Sequence, residues 1–249
     1  MWLQHFKVVV IKLRDEVAWR PAIASDLDKY QDEGRFKIDQ MAFQLDYGAI
    51  IHLDGGIGQL ARASTGVLQV CIHGGTLEQL PLTIIFPTEG TSQLSVADER
   101  QLYHPKVRVL FQRSPCVESR TFQLIEWMSE VFDPWVKEKV GYFGKKEILM
   151  LQGDMSNNLG AILQKLARHE FRKWLQEDNN ADRWHAQVLS TKTKRVLMTW
   201  LFGKAWEQFQ VALRQLQLVM GEAFSESGML LAVGDEMASE VLADISVDA

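Results

Sequence analysis

The run GVLQVCIHGGTLEQLPLTIIF, residues 66–86, decides how the chain is read. It contains two short apolar segments, GVLQVCIH at 66–73 and LPLTIIF at 80–86, joined by a Gly-Gly and polar link. Runs of this length, rich in Val, Ile and Leu and bounded by Gly and Pro, predict strands that are buried in a sheet. Upstream, FKIDQMAF at 36–43 alternates as a strand does, and downstream VRVLFQ at 107–112 and EILMLQ at 147–152 repeat the signal. Between the last two, Phe122, Ile125, Trp127, Val131 and Trp135 set out one helical face over 118–140, which Pro134 is expected to kink or divide. From residue 159 the pattern turns helical: Leu159, Leu163, Leu166, Phe171, Trp174 and Leu175 recur at helical spacing, and 196–209 and 213–224 continue it. Strands first and helices after predict an α/β or α+β domain with a helical C-terminal half. Residues 1–34 show no strong period and are broken by Trp19-Arg20-Pro21 and Asp32-Glu33-Gly34, so they stay unassigned.

Composition sets the outer bounds. A chain of 249 residues that is 47% hydrophobic and 24% charged buries a substantial core, which excludes disordered and fibrous classes. Its two cysteines, Cys71 and Cys116, make neither a disulfide framework nor a CxxC metal pattern, and a reducing compartment is expected. The longest apolar runs, such as 8–11 and 148–151, fall far short of the roughly 20 residues that span a bilayer, so no membrane association is expected.

Net charge is −5, yet the charge is unevenly spread. Residues 160–206 hold nine Lys or Arg against four Asp or Glu, whereas every charged residue after Arg214 is acidic. The centre suits phosphate and the tail, 236–249 above all, repels it. Lys165, Arg168 and Arg172 share one helical side; with Lys173, Lys192, Lys194 and Arg195 they are the candidate nucleic-acid contacts. Such contacts grip the DNA backbone without reading sequence.

The order of segments resembles the catalytic core of the DDE superfamily endonucleases of the pogo and jerky transposase type. FKIDQMAFQLDY resembles the family's first strand, with Asp39 as the first catalytic carboxylate. VLQVCIHGG and PLTIIF resemble the next two strands, and TSQLSVADERQLYHPKVRVLFQ the approach to another. ESRTFQLIEWMSEVFDPWV resembles the family's Trp-bearing helix, and KKEILMLQ the strand that delivers the second carboxylate. NNLGAILQKLARHEFRKWLQEDNNADRW with KRVLMTWLFGKAWEQF resembles the closing helical region. The resemblance covers 35–235. It implies an RNase H-like mixed sheet flanked by helices, Mg²⁺ or Mn²⁺ as cofactor, nuclear action on DNA, and it admits a homo-oligomer.

The chemistry implied is phosphodiester cleavage, in which two divalent ions activate the attacking oxygen and stabilise the leaving one, held by converging carboxylates. In the family the second Asp ends the strand after the long helix, commonly as Asp-Asn, and the third follows a Gln-Pro motif. Here EILMLQ runs directly into GDMSNNLGAIL, so the stretch between those motifs is missing. Gln152-Gly153-Asp154 resembles a shortened Gln-Pro-x-Asp, which makes Asp154 the third carboxylate and leaves Asp39 and Asp154 as a two-carboxylate catalytic and metal-binding remnant. A degenerate site is therefore expected.

Other chemistries lack their motifs. His73, His104, His169 and His185 have no zinc spacing, HLDGGIGQL lacks the Lys-Ser/Thr of a phosphate loop, and no G-x-S-x-G elbow is present. Trp127, Trp174, Trp184, Trp200 and Trp206 sit in apolar helical runs and are expected in the core rather than as base-stacking platforms. Two further readings stay open: a non-catalytic protein-interaction module, and a non-functional transposon remnant.

Overall fold

The computed structural model describes residues 7–12, 35–44, 65–73, 79–87, 98–112, 124–140, 147–152 and 159–220. Six strands form one mixed sheet: β1 (Lys7–Lys12), β2 (Arg35–Gln44), β3 (Thr65–His73), β4 (Leu82–Pro87), β5 (Val107–Gln112) and β6 (Glu147–Gln152). Their order is β1-β6-β2-β3-β4-β5. The pairs β1–β6, β6–β2 and β4–β5 are parallel, while β2–β3 and β3–β4 are antiparallel. The helices are α1 (124–140), α2 (Leu159–Gln176), α3 (Asn180–His185) and α4 (Thr191–Met220). A mixed α/β fold is thus present.

Both faces of the sheet are covered at β3 and β4, which explains why these strands read as continuous apolar runs. Alternate residues feed two cores. Leu68, Val70 and Ile72 of β3, with Leu82, Ile84 and Phe86 of β4, pack under Leu163, Leu166, Phe202 and Trp206 of α2 and α4. Cys71 of β3, Ile85 of β4 and Phe36 and Ile38 of β2 face Trp127, Met128, Phe132 and Trp135 of α1.

On the α1 side three polar residues lie in register across the strands: Gln40 opposite Gln69, and Gln69 opposite Thr83. Gln40 Nε2 donates to Gln69 Oε1 at 2.7 Å, and the indole N–H of buried Trp127 donates to Thr83 Oγ1 at 3.0 Å. A one-residue slip of any of these strands would strand those groups in an apolar layer, so the row fixes the register as well as the apolar pattern does.

Two elements depart from the sequence reading. KVVVIK lies in the unassigned N-terminal stretch, yet it is a sheet strand beside β6, with Val8 opposite Ile148 and Ile11 opposite Leu151. Nor does Pro134 divide α1. Wide π-type turns at Met128–Phe132 and Val136–Val140 flank the short α segment Asp133–Trp135 that contains Pro134, and the helical path runs through it.

The helical layer is seated by a close approach. Gly203 of α4 lies against buried His104, and a Cβ at Gly203 would fall 2.3 Å from the imidazole ring. Gly203→Ala gains about 1 kcal/mol of helix propensity, but overpacking of this kind costs about 1–3 kcal/mol. A lowered melting temperature is expected for the variant; an unchanged or raised one would show that the notch is not tightly filled.

Candidate nucleic-acid interface

α2 is amphipathic for a reason visible in its spacing. Leu163, Leu166, Ala167 and Glu170 are buried, while Lys165, Arg168, Arg172 and Gln176 are exposed on the opposite side. Three of those four are cations spaced i, i+3 and i+7, which places them along one stripe about 10 Å long. Lys173 flanks the stripe and is exposed, but its ammonium donates to Glu170 Oε1 at 3.1 Å.

Glu170 is itself a buried carboxylate. Gln208 of α4 donates to its Oε1 at 2.9 Å, and the Lys204 ammonium lies 3.7 Å from its Oε2. Burial pushes this carboxyl up, but the donors Gln208 and Lys173 and the nearby positive charges outweigh burial and hold it below the ordinary value. The ionised Glu170 therefore ties α2 to α4 from beneath the basic stripe.

Lys192 and Lys194 are half-buried in the first turn of α4, where Ser190 Oγ accepts the Thr193 N–H at 3.1 Å as a cap. Cations at this end of a helix oppose its dipole and are unfavourable for stability. The same placement adds their charge to the positive helix end, which suits an anion.

Arg195 does not belong to this surface. It is 4% exposed, and its Nε and Nη2 donate to Glu99 Oε1 and Oε2, each at 2.7 Å. Tyr103 donates to the same carboxylate at 2.7 Å, and the guanidinium lies over Phe111. Burial raises the Glu99 carboxyl, yet the Arg195 and Tyr103 hydrogen bonds and the Arg195 charge bring it below its usual value; burial and then Glu99 push the Tyr103 phenol up. A sequence signal existed: Arg195 is in step with Met198, Phe202 and Trp206, at i+3, i+7 and i+11, on the buried stripe of α4.

Asp39 stands on β2 opposite Val70 of β3. On the other side of β2, Ile38 is paired with Gln152 at the end of β6. Asp154, two residues beyond, lies outside the described residues. Among the described residues no three His, Cys, Asp or Glu side chains are grouped to hold a metal ion. No helix among them is long and apolar enough to cross a membrane.

The tryptophans divide. Trp127 and Trp206 are fully buried, as expected of core residues. Trp174 and Trp184 sit half-buried at the margin of the α2–α4 core, and Trp200 is 42% exposed, its indole N–H donating to the Leu102 carbonyl at 2.8 Å.

No family model matches the chain, and neither the curated proteins nor the solved structures contain a significant match.

The buried ionisable groups set a pH dependence of stability. Desolvation lowers the His104 pKa from its ordinary 6.5, so its contribution is complete above about 6.5 and is lost as pH falls through the folded value. Glu99 and Glu170 are depressed below 4.5, so theirs is complete above about 4.5 and is lost at lower pH still. Denaturant midpoints measured from neutral to acid should decline in two successive windows, and His104→Phe should remove the upper one. A midpoint that holds constant to below pH 4 would contradict this electrostatic reading.

Proposed function

We propose that the chain is a transposase-derived, RNase H-like protein whose working property is DNA binding through the basic stripe of α2 and the first turn of α4. The observation that carries this reading is the one-sidedness of α2: Lys165, Arg168 and Arg172 face outward while the opposite side is built into the core. A net-acidic chain that gathers cations on one face, two more of them at the end of a helix where they oppose its dipole, favours a phosphate partner over a merely solvated surface. The mixed sheet with helices on both faces supports the RNase H-like part of the reading, and nuclear action on DNA goes with it.

Catalysis belongs to the ancestry of the fold in this reading. Asp39 and Asp154 would be the ligands of a Mg²⁺ or Mn²⁺ ion, which would supply activation of water for phosphodiester hydrolysis. Ile38 is paired with Gln152, so the strand leading to Asp154 runs beside the strand bearing Asp39. A two-carboxylate set still falls short of the three that the chemistry uses, and cleavage is secondary to binding.

The test is the salt dependence of duplex DNA affinity. Each phosphate neutralised contributes about −0.9 to the slope of log affinity against log salt. Replacing Lys165, Arg168 and Arg172 together by Gln should weaken binding at low salt and flatten that slope by roughly 2 to 3. A folded triple variant that keeps both affinity and slope would remove DNA from this face and leave the protein-interaction reading.

A further inference from the structure

We propose that the corner where α2, α3 and α4 meet is a stacking platform for unpaired nucleobases, so that the chain prefers single-stranded to duplex nucleic acid; this rests on the DNA-binding reading and narrows its substrate. Three aromatic rings form the corner. Phe171 and Trp174 stack at 5.9 Å between centroids with 20° between their planes, and Trp184 meets both edge-on at 5.0 and 6.1 Å.

Unlike Trp127 and Trp206, these rings are not sealed in the core; all three lie half-buried at its margin. They are also held in place. Asn180, the first residue of α3, is buried and donates its Nδ2 to the Trp174 carbonyl at 2.9 Å, which pins α3 against the end of α2. Aromatic surface that is fixed before binding loses little entropy on contact.

The rim identifies the occupant. The Lys194 ammonium lies 5.9 Å from the Trp184 ring centroid, and Arg172, Arg183 and Lys192 stand on the three helices that build the corner. Exposed and half-buried residues from 165 to 194 carry seven Lys or Arg against Glu177, Asp178 and Asp182. Aromatic faces bordered by cations are what a single strand needs, because stacking engages any base and the cations track the backbone. In a duplex the base faces are already stacked on one another, so only the cations would find partners.

The experiment compares the full chain's affinity for a labelled oligothymidylate strand and for a blunt duplex of equal length, with Trp174→Leu, Trp184→Leu and Lys194→Gln variants. Single-strand affinity should fall about tenfold or more in each tryptophan variant, with little change for the duplex. Photocrosslinking of the unaltered chain to iodouracil-containing strand should mark Trp174 or Trp184, and this readout stands even where a Leu variant fails to fold. Folded tryptophan variants with unchanged single-strand affinity, or crosslinks confined to other residues, would overturn the platform while leaving DNA binding intact. Binding of neither nucleic acid would overturn both readings. Capture of an acidic peptide at this corner, with no strand bound there, would overturn the platform in favour of a protein partner.

Discussion

The apolar core seats α2 and α4 on the sheet, and a desolvated ion pair fixes how α4 is placed there. Glu99 and Arg195 are 0% and 4% exposed and meet through two hydrogen bonds of 2.7 Å. Truncating one partner of such a pair leaves a buried charge unpaired, which costs about 3–5 kcal/mol, far more than the intact pair contributes in net terms. The pair therefore acts mainly as a constraint on geometry. It locks the start of α4 to the turn before β5, and the neighbouring contacts follow: His104 N–H donates to Thr199 Oγ1, and Trp200 donates to the Leu102 carbonyl. With α4 fixed there, Glu170 can bridge to Gln208 and Lys204, and α2 is rotated so that its basic stripe faces outward.

Charge in this layer is thus sorted by depth. The buried carboxylates Glu99 and Glu170 each take at least one donor from α4, Arg195 and Gln208 respectively, and those bonds organise the packing of helix on helix and helix on sheet. Lys165, Arg168 and Arg172 on the outer side of α2 are exposed where Arg195 is buried, and in the proposed reading they form the face that meets DNA. The aromatic corner lies between these two groups, attached to the core on one side and bordered by charge on the other. Seating, orientation and the proposed recognition therefore draw on the same three helices.

Much of the fold was legible because its signals are local. Five strands and the helical runs follow from apolar period, and the exposed side of α2 follows from the spacing of Lys165, Arg168 and Arg172. What escaped depends on partners distant in sequence. KVVVIK is too short to be told from an isolated apolar run, and only its parallel pairing with β6 makes it a strand. Arg195 reads as a surface cation in the run Lys192, Lys194, Arg195 until Glu99, 96 residues away, is known to sit opposite it. Pro134 was expected to kink or divide α1; it does not divide it, because widened turns on each side let the helical path continue. Trp174 shares the period of core residues, and its place at the core margin, against Trp184 of the short α3, comes only from the packing of that helix.

The central claim, that one face of the helical layer carries nucleic acid, is tested most directly by lysine acetylation of the full chain with and without DNA, read residue by residue. Lys165 and Lys192 should be protected, whereas Lys137 and Lys139 of α1, on the opposite side of the sheet, should react equally in both samples. Protection that is uniform across the chain, or greater on α1 than on α2, would contradict the account.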